Sequence, residues 1–472
     1  MVSYIDLADS LAAEISRGER RPGERLPTHR ELAWKLGRSV GTVTRAYREL
    51  ERRGLVRGEV GRGTFVTGPD GETRRPASDT IFPAEVLGRA APREIDLSLN
   101  YIRHPSGEEL VRWALEAVAQ NPPGARYEIY RDSRGDDAQR ELAAAWLSRT
   151  VPDASADRVI LTAGAQAGVY GCLSALVGDG GVIATEPYSY PGFRAAAQSL
   201  GLRVAGLAMD DEGIRPDALE EVCERHGARV LLTVPTCQNP TGATQSSARR
   251  RAILDIAERF DMTILEDGIY DFLRGPEPAA YATLAPDRTV YLTSYSKALS
   301  PALRVGYLLA PGHLVRRLAT TLTAMNWMTS EILLDAVAAL VTSGRLDRHV
   351  AEVHQEACLR QELLMARLGD WIAHSGPAGG AGGGPEPTHV STHFWLALPD
   401  RWTASSFVDA ARRQGVMLLP ASVFAASGRD DTPACRVCTM STPDRQTFER
   451  GIDILADLMV DEPCSGPLMR LG

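Results

Sequence analysis

The residue whose chemistry is hardest to replace is Lys297, at the centre of Ser294–Gly306 (Ser-Tyr-Ser-Lys-Ala-Leu-Ser-Pro-Ala-Leu-Arg-Val-Gly). The chain has 52 basic residues, yet only Lys35 and Lys297 are lysines. A lysine amine condenses with an aldehyde and a guanidinium does not. Lys297 is therefore the one candidate beyond the N-terminal segment for holding an aldehyde cofactor covalently. Ser294 and Ser296 add hydroxyl donors, and Arg304, seven residues on, adds a charged fork suited to a phosphate. An aldehyde and a phosphate in one ligand point to pyridoxal 5'-phosphate. Taken alone, the lysine could equally be a solvated side chain in a loop.

Short apolar runs supply the elements that would position this chemistry. Val159-Ile160-Leu161, Gly181–Ala184, Val230–Val234, Thr263-Ile264-Leu265 and Thr289–Leu292 read as buried strands separated by helical segments, the pattern of an α/β layer with a mainly parallel sheet. Open sheets of this kind place ligands beyond the carboxyl ends of their strands, and the suggestive residues fall there. After Leu161, Gly164, Ala165 and Gln166 form a small-residue turn into a helix whose exposed amides can receive a phosphate, or whose glycine serves close packing only. After Ile183, Tyr188 and Tyr190 precede Pro191-Gly192; either could offer a face to a planar ring, or belong to the core. After Val234, Asn239 stands in a turn where its amide could reach a ring hydroxyl, though Asn before Pro is also an ordinary turn. After Leu265, Asp267 could hold a pyridine nitrogen protonated and Tyr270 could donate to the ring oxygen; the plainer reading of Asp267 is a helix cap.

Charge is unevenly spread along the 472 residues. Through residue 66 there are 13 basic against 9 acidic residues, and beyond it 39 against 51, so a basic head precedes an acidic body. Seven cysteines without regular spacing suggest reduced thiols, and Cys435 and Cys438 lack the second pair that a zinc site would need, so no metal is expected. The N-terminus lacks a basic-then-apolar leader and no apolar run approaches the ~20 residues of a membrane span. A soluble, cytoplasmic protein without a membrane partner is expected.

In the head, Ile5, Leu7, Leu11 and Ile15 have helical spacing, ending near Gly18. Thr28-His29-Arg30-Glu31 has the spacing of a capping box that opens a second helix, with Leu32, Ala33 and Leu36 turned inward. Ser39 can cap a third helix with Val43, Ala46, Tyr47 and Leu50 inside and Thr42, Thr44, Arg45 and Arg48 outside. Leu55–Arg57 and Thr64–Val66 then flank Gly58–Gly63 as a hairpin or wing with Arg62 near its tip. The quartet Pro22-Gly23-Glu24-Arg25-Leu26-Pro27, Arg30-Glu31-Leu32-Ala33, Gly41-Thr42-Val43 and Gly61–Val66 resembles the GntR-family winged helix-turn-helix. That resemblance implies binding to double-stranded operator DNA through Arg30, Ser39, Thr42, Arg45, Arg62 and Gly63. Many relatives carry Arg after the capping Ser, where this chain has Val40.

In the body, Asn239, Asp267, Tyr270, Lys297 and Arg304 occur in the order and setting of fold-type I aminotransferases, and the whole chain resembles the MocR-type regulators, which join both parts. The resemblance implies an internal aldimine at Lys297, Asp267 on the pyridine nitrogen, Asn239 and Tyr270 on the ring oxygen, and Tyr190 stacked on the ring. Ser294, Ser296, Arg304 and the Gly164–Gln166 turn would hold the phosphate, and Tyr130 would reach the phosphate of the partner in a homodimer. Arg436 would pair with a carboxylate of the bound amino compound. The expected organisation is a winged helix-turn-helix over 1–67, a linker over 68–94, an aminotransferase-like domain over 95–462 and a tail over 463–472, with Gly376–Pro387 a mobile loop. The expected function is transcription regulation, sensing an amino acid or amine by aldimine exchange at Lys297; the alternative is a working aminotransferase with an accessory head.

Overall fold

The computed structural model describes residues 4–16, 20, 24–52, 55–59, 63–66, 94–121, 124–273, 278–373, 390–426 and 430–460. The expected helix stop at Gly18, the wing-tip residues Gly61 and Arg62, the linker up to residue 93, the Gly376–Pro387 insertion and the tail lie outside the described residues. The chain divides into two compact units, residues 1–81 and 82–472.

The first unit has helices Tyr4–Ser16, His29–Lys35 and Val40–Arg52 and an antiparallel hairpin, Val56–Glu59 with Gly63–Val66. The capping box is present: Glu31 N–H donates to Thr28 Oγ1 at 3.3 Å, and Thr28 N–H donates to the Glu31 carboxylate at 2.8 Å. Val43, Ala46, Tyr47 and Leu50 are buried with Leu11, Leu26, Leu32, Ala33, Val56 and Val66 in one core. Leu36 departs from the expectation. It is 43 % exposed, because the helix stops at Lys35 and Gly37 turns left-handed at φ 61° immediately after it.

The second unit is built on a seven-stranded sheet. Its order is Val159–Thr162, Gly306–Leu309, Thr289–Ser294, Thr263–Asp267, Val230–Thr233, Val182–Thr185, Arg203–Gly206. All neighbours pair in parallel except Gly306–Leu309, which runs antiparallel to both of its partners. The five apolar runs read from the sequence are all strands of this sheet. The two that were not read are the edge strand Arg203–Gly206, half-exposed with an Arg and a Gly at its ends, and Gly306–Leu309, which follows the Lys297 segment too closely for a crossover helix. That short return is possible because the strand is antiparallel. A smaller antiparallel sheet, ordered Ile372–Ala373, His393–Ala397, Ala434–Cys438, Leu419–Pro420, forms the C-terminal lobe.

Candidate functional site

A pocket of about 290 Å³ opens where the carboxyl ends of the large sheet face the small one. Lys297, Asp267, Tyr270, Asn239, Tyr190, Ala165, Gln166, Ser294, Ser296 and Arg304 come to it from the large-sheet side, and Arg436 from the strand Ala434–Cys438. Asp267 ends its strand. The neighbouring Glu266 points to the opposite face, as strand alternation requires. Its carboxylate accepts from Tyr281 N–H (3.0 Å) and Ala282 N–H (2.9 Å), with Arg250 3.8 Å away. Asp267 accepts from Ile269 N–H at 3.0 Å, and among the described residues no ion pair reaches it. Burial raises its pKa to about 7, and the Asp271 and Glu186 charges push the same way.

Lys297 is partly buried in the short helix Tyr295–Ala298, and its Nζ donates to the carbonyl of Asn100. Desolvation, and then the Arg436 charge, bring its pKa down to about 8, opposed by Cys438 and Asp267. The amine is thus closer to its nucleophilic form than an ordinary lysine.

Arg436 is buried. It donates from Nη1 to Asn239 Oδ1 (2.7 Å) and from Nη2 to the Ser98 carbonyl (2.6 Å), and its guanidinium lies 4.5 Å from the Phe424 ring centre. Its Nε is buried without a partner. Because arginine only donates, the Asn239 oxygen must face it, which leaves the Asn239 NH₂ to serve the pocket. Tyr270 accepts from Asn100 Nδ2 at 3.0 Å, so its own proton is free to be donated, and burial holds that phenol protonated.

On the anion side, Gly164 caps the helix Ala165–Leu176 at φ 83° without a side chain, leaving the first amides uncapped. A Cβ there would meet Arg304 Nη2 at 2.7 Å. Arg304 itself adopts a left-handed φ of 47°, which brings its fork to Ser296 Oγ (3.5 Å) and the Ala163 carbonyl (3.1 Å). Ser294 Oγ accepts from Ser296 N–H at 3.3 Å.

Packing places the two tyrosines differently. Tyr188 Oη is bound by Asp430 (2.6 Å) and Thr432 (2.6 Å) and its ring lies on Trp395, outside the pocket, whereas Tyr190 lines the pocket edge-on to Phe193. Tyr130 is not brought to this pocket. It is 79 % exposed and rests against Trp327. Three residues were given no role from the sequence: Asn100, which lines the pocket, and His393 and Gly192, which pack against residues that do. Asn100 Nδ2 donates to Tyr270 and to His393 Nδ1 (2.9 Å), while His393 Nε2 donates to the Gln238 carbonyl (3.0 Å). A side chain at Gly192 would collide with Tyr190 and Gln166. Only the adjacency of Gly192 to Tyr190 was a signal; Asn100 and His393 are brought in by tertiary folding.

In the first unit, Arg30, Ser39 and Arg45 are exposed, and Gly63 is at φ 119° with Arg25 packed where its Cβ would be. Ser39 Oγ caps Thr42 N–H (3.1 Å) and bonds Thr42 Oγ1 (2.8 Å), so these two hydroxyls are engaged with each other. The outward face of Val40–Arg52 is Val40, Gly41, Arg45 and Arg48.

Residues 92–455 match the family "Aminotransferase class I and II", and residues 3–66 match "Bacterial regulatory proteins, gntR family". The uncharacterized HTH-type transcriptional regulator YdeF of Bacillus subtilis is 26 % identical over 97 % of this chain and 94 % of its own. The HTH-type transcriptional regulator TauR of Rhodobacter capsulatus is 30 % identical over 88 % of each. Among solved structures, the α-aminoadipate aminotransferase LysN of Thermus thermophilus, complexed with N-(5'-phosphopyridoxyl)-L-leucine, superposes with a TM-score of 0.69 at 21 % identity, over 80 % of this chain and 93 % of that one; this likeness carries the fold alone. Aminotransferases of class I and II are a pyridoxal phosphate-dependent family. The chain belongs to the MocR-type transcriptional regulators, in which a gntR-family helix-turn-helix precedes an aminotransferase class I and II body.

Proposed function

We propose that the body of this DNA-binding regulator holds pyridoxal 5'-phosphate at Lys297 and senses a small amino acid or amine that competes for the same aldehyde, changing the affinity of the head for operator DNA. The observation that carries the reading is Asp267: a buried carboxyl without an ion-pair partner among the described residues, in the same pocket as the body's only lysine. A protonated pyridine nitrogen is the partner such a carboxyl lacks. The unpartnered Arg436 Nε, the free proton of Tyr270 and the uncapped amides after Gly164 fit the rest of that ligand and its effector.

When bound, the cofactor supplies an aldehyde carbon open to primary amines and a ring that withdraws electrons from it. The chain's part is to orient it. Asp267 keeps a proton at the ring nitrogen, Asn239 Nδ2 and Tyr270 Oη donate to the ring oxygen, and Tyr190 lies along the ring. Ser294, Ser296, Arg304 and the Gly164–Ala165–Gln166 turn take the phosphate, joined by Tyr130 of a second copy in a homodimer. Arg436 orients a carboxylate of the effector. In the head, Arg30, Ser39, Thr42, Arg45 and the wing at Arg62 and Gly63 take the DNA, with the functional division falling at residues 67 and 95 and the chain after 462 a tail.

An effector alters DNA affinity only through a contact that differs between two states of the protein. The test therefore measures both ends in one sample: amines and amino acids are screened for a change in the visible absorbance of the yellow protein, and operator affinity is measured with each. The expected result is a compound that changes both, with Lys297→Ala colourless and unresponsive. Absorbance changes that never alter operator affinity would refute the sensing role, and keto-acid formation at catalytic turnover would replace it with an enzyme.

A further inference from the structure

A cleft of about 1020 Å³ runs past His104, Leu299 and Ser300 and shares Tyr101 and Pro301 with the Lys297 pocket. Beside it, two helices bring together a group of side chains that the proposed function does not use. His104 is the N-cap of the helix Pro105–Gln120, and Ser106 lies in its first turn. His349 and Glu352, one turn apart, face them from the helix Arg345–Leu368. Ser106 Oγ is 2.7 Å from His104 Nδ1, 2.7 Å from His349 Nδ1 and 3.0 Å from Glu352 Oε2.

The protons in this group do not balance. His104 Nδ1 accepts the backbone N–H of Ser106 at 3.4 Å, as the cap of its helix, and so carries a lone pair. A carboxylate only accepts. The single proton of the Ser106 hydroxyl is contested by His104 and Glu352, and His349 has no second engagement: it is 2 % exposed and its Nε2 finds no partner. A buried imidazole whose only polar contact is a shared hydroxyl is an under-satisfied group.

We propose that His104, His349 and Glu352 are the ligands of one divalent transition-metal ion. Their ligand atoms lie within 4.8 Å of one another, and the Ser106 oxygen marks a point 2.7 to 3.0 Å from all three. Metal bonds of about 2.0–2.2 Å need each ligand to close in by less than about 1 Å from that point. Glu352 is largely exposed and His104 is at a helix start, so both have room to move, and Ser106 leaves by rotating about one bond. Two imidazoles, one carboxylate and a water are a donor set suited to zinc. The ion would pin the start of Pro105–Gln120 to the long helix and fix the wall shared by the cleft and the pocket.

The experiment uses full-length protein stripped of metal by a chelator, titrated with zinc against a chromogenic competitor, and with cobalt for its visible spectrum. The expected result is one zinc per chain and the absorbance of four-coordinate cobalt, with affinity reduced about tenfold or more in Glu352→Gln and in His104→Ala. Glu352→Gln alters an exposed side chain and keeps the fold. Ser106→Ala removes the competing hydroxyl and is expected to tighten binding, which a merely structural hydrogen-bond cluster would not do. Cys358→Ser controls for the thiol beside His354 on the same helix and is expected to change nothing. No saturable binding, binding that survives Glu352→Gln and His104→Ala, weaker binding in Ser106→Ala, or loss in Cys358→Ser would each overturn the proposal.

Discussion

Capture of an aldehyde by Lys297 depends on the unprotonated amine, and the pocket fixes how much of it exists. The amine titrates near pH 8 instead of 10.5. At pH 7 about one-tenth of it is then free, against roughly 0.03 % for an ordinary lysine, a gain of about 300-fold because each pH unit is a factor of ten. Burial is the largest cause and the Arg436 charge the next. Arg436→Gln removes that charge while keeping the site filled, so the amine's pKa must rise and capture at pH 7 must slow. The Asp267 carboxylate favours the charged amine, so Asp267→Asn must move the pKa the other way. The assay is stopped-flow mixing of cofactor-free protein with pyridoxal phosphate from pH 6 to 10, followed by absorbance. For the unaltered chain the rate should climb with pH and level off near 8; the break should shift up in Arg436→Gln and down in Asp267→Asn. A break near 10.5, or one that stays put in both variants, would refute this account of the pocket's electrostatics.

Asp267 gives a second pH signature. Its folded pKa of about 7 lies above the ordinary 3.8, so the folded chain holds a proton that the unfolded chain has lost between those values. Its contribution to stability is then present below pH 4 and falls as pH rises to 7, by at most about 4 kcal/mol. Asp267→Asn should raise the melting temperature of the cofactor-free protein at pH 8 and leave it unchanged at pH 4, by calorimetry; an equal effect at both would count against the assignment. Gly192→Ala would force the Tyr190 ring and Gln166 aside; overpacking of about 1–3 kcal/mol should weaken cofactor binding roughly tenfold, by titration. Arg45→Ala should weaken operator binding and lower the slope of log affinity against log salt by about one, by fluorescence anisotropy.

What could be read from the chain and what could not differ in kind. The large sheet was legible because its strands are continuous apolar runs bounded by polar turns, and the site on it was legible because Gly164, Asn239, Asp267 and Lys297 lie just beyond or at the ends of those runs. Glu266 and Asp267 face opposite ways because side chains alternate along a strand. The opposite wall was harder. Asn100 and His393 are 293 residues apart in sequence, yet bonded to each other, and nothing local to either announces that contact. Tyr188 and Tyr190 have the same residue type and stand two apart; what separates them is that Asp430 and Thr432, over 240 residues on, claim the hydroxyl of one. The engagement of Thr42 with Ser39 was within reach, since a capping serine and the residue three ahead are always neighbours.

The two central groups of the pocket are pulled away from their usual charge states. Burial drives the Lys297 amine toward neutrality and the Asp267 carboxyl toward protonation, and at neutral pH both work against the stability of the cofactor-free fold. A core chosen for stability alone would have paired them with each other or replaced them. Glu266, one residue away, shows that this chain satisfies a buried carboxylate fully, with two backbone amides and a nearby guanidinium. The contrast between adjacent residues on opposite faces of one strand therefore supports the proposed place of the ligand at Asp267. A ligand that supplies a cationic nitrogen to Asp267 and takes the amine of Lys297 into a covalent bond relieves both at once, and it must stabilise the fold in proportion to its affinity.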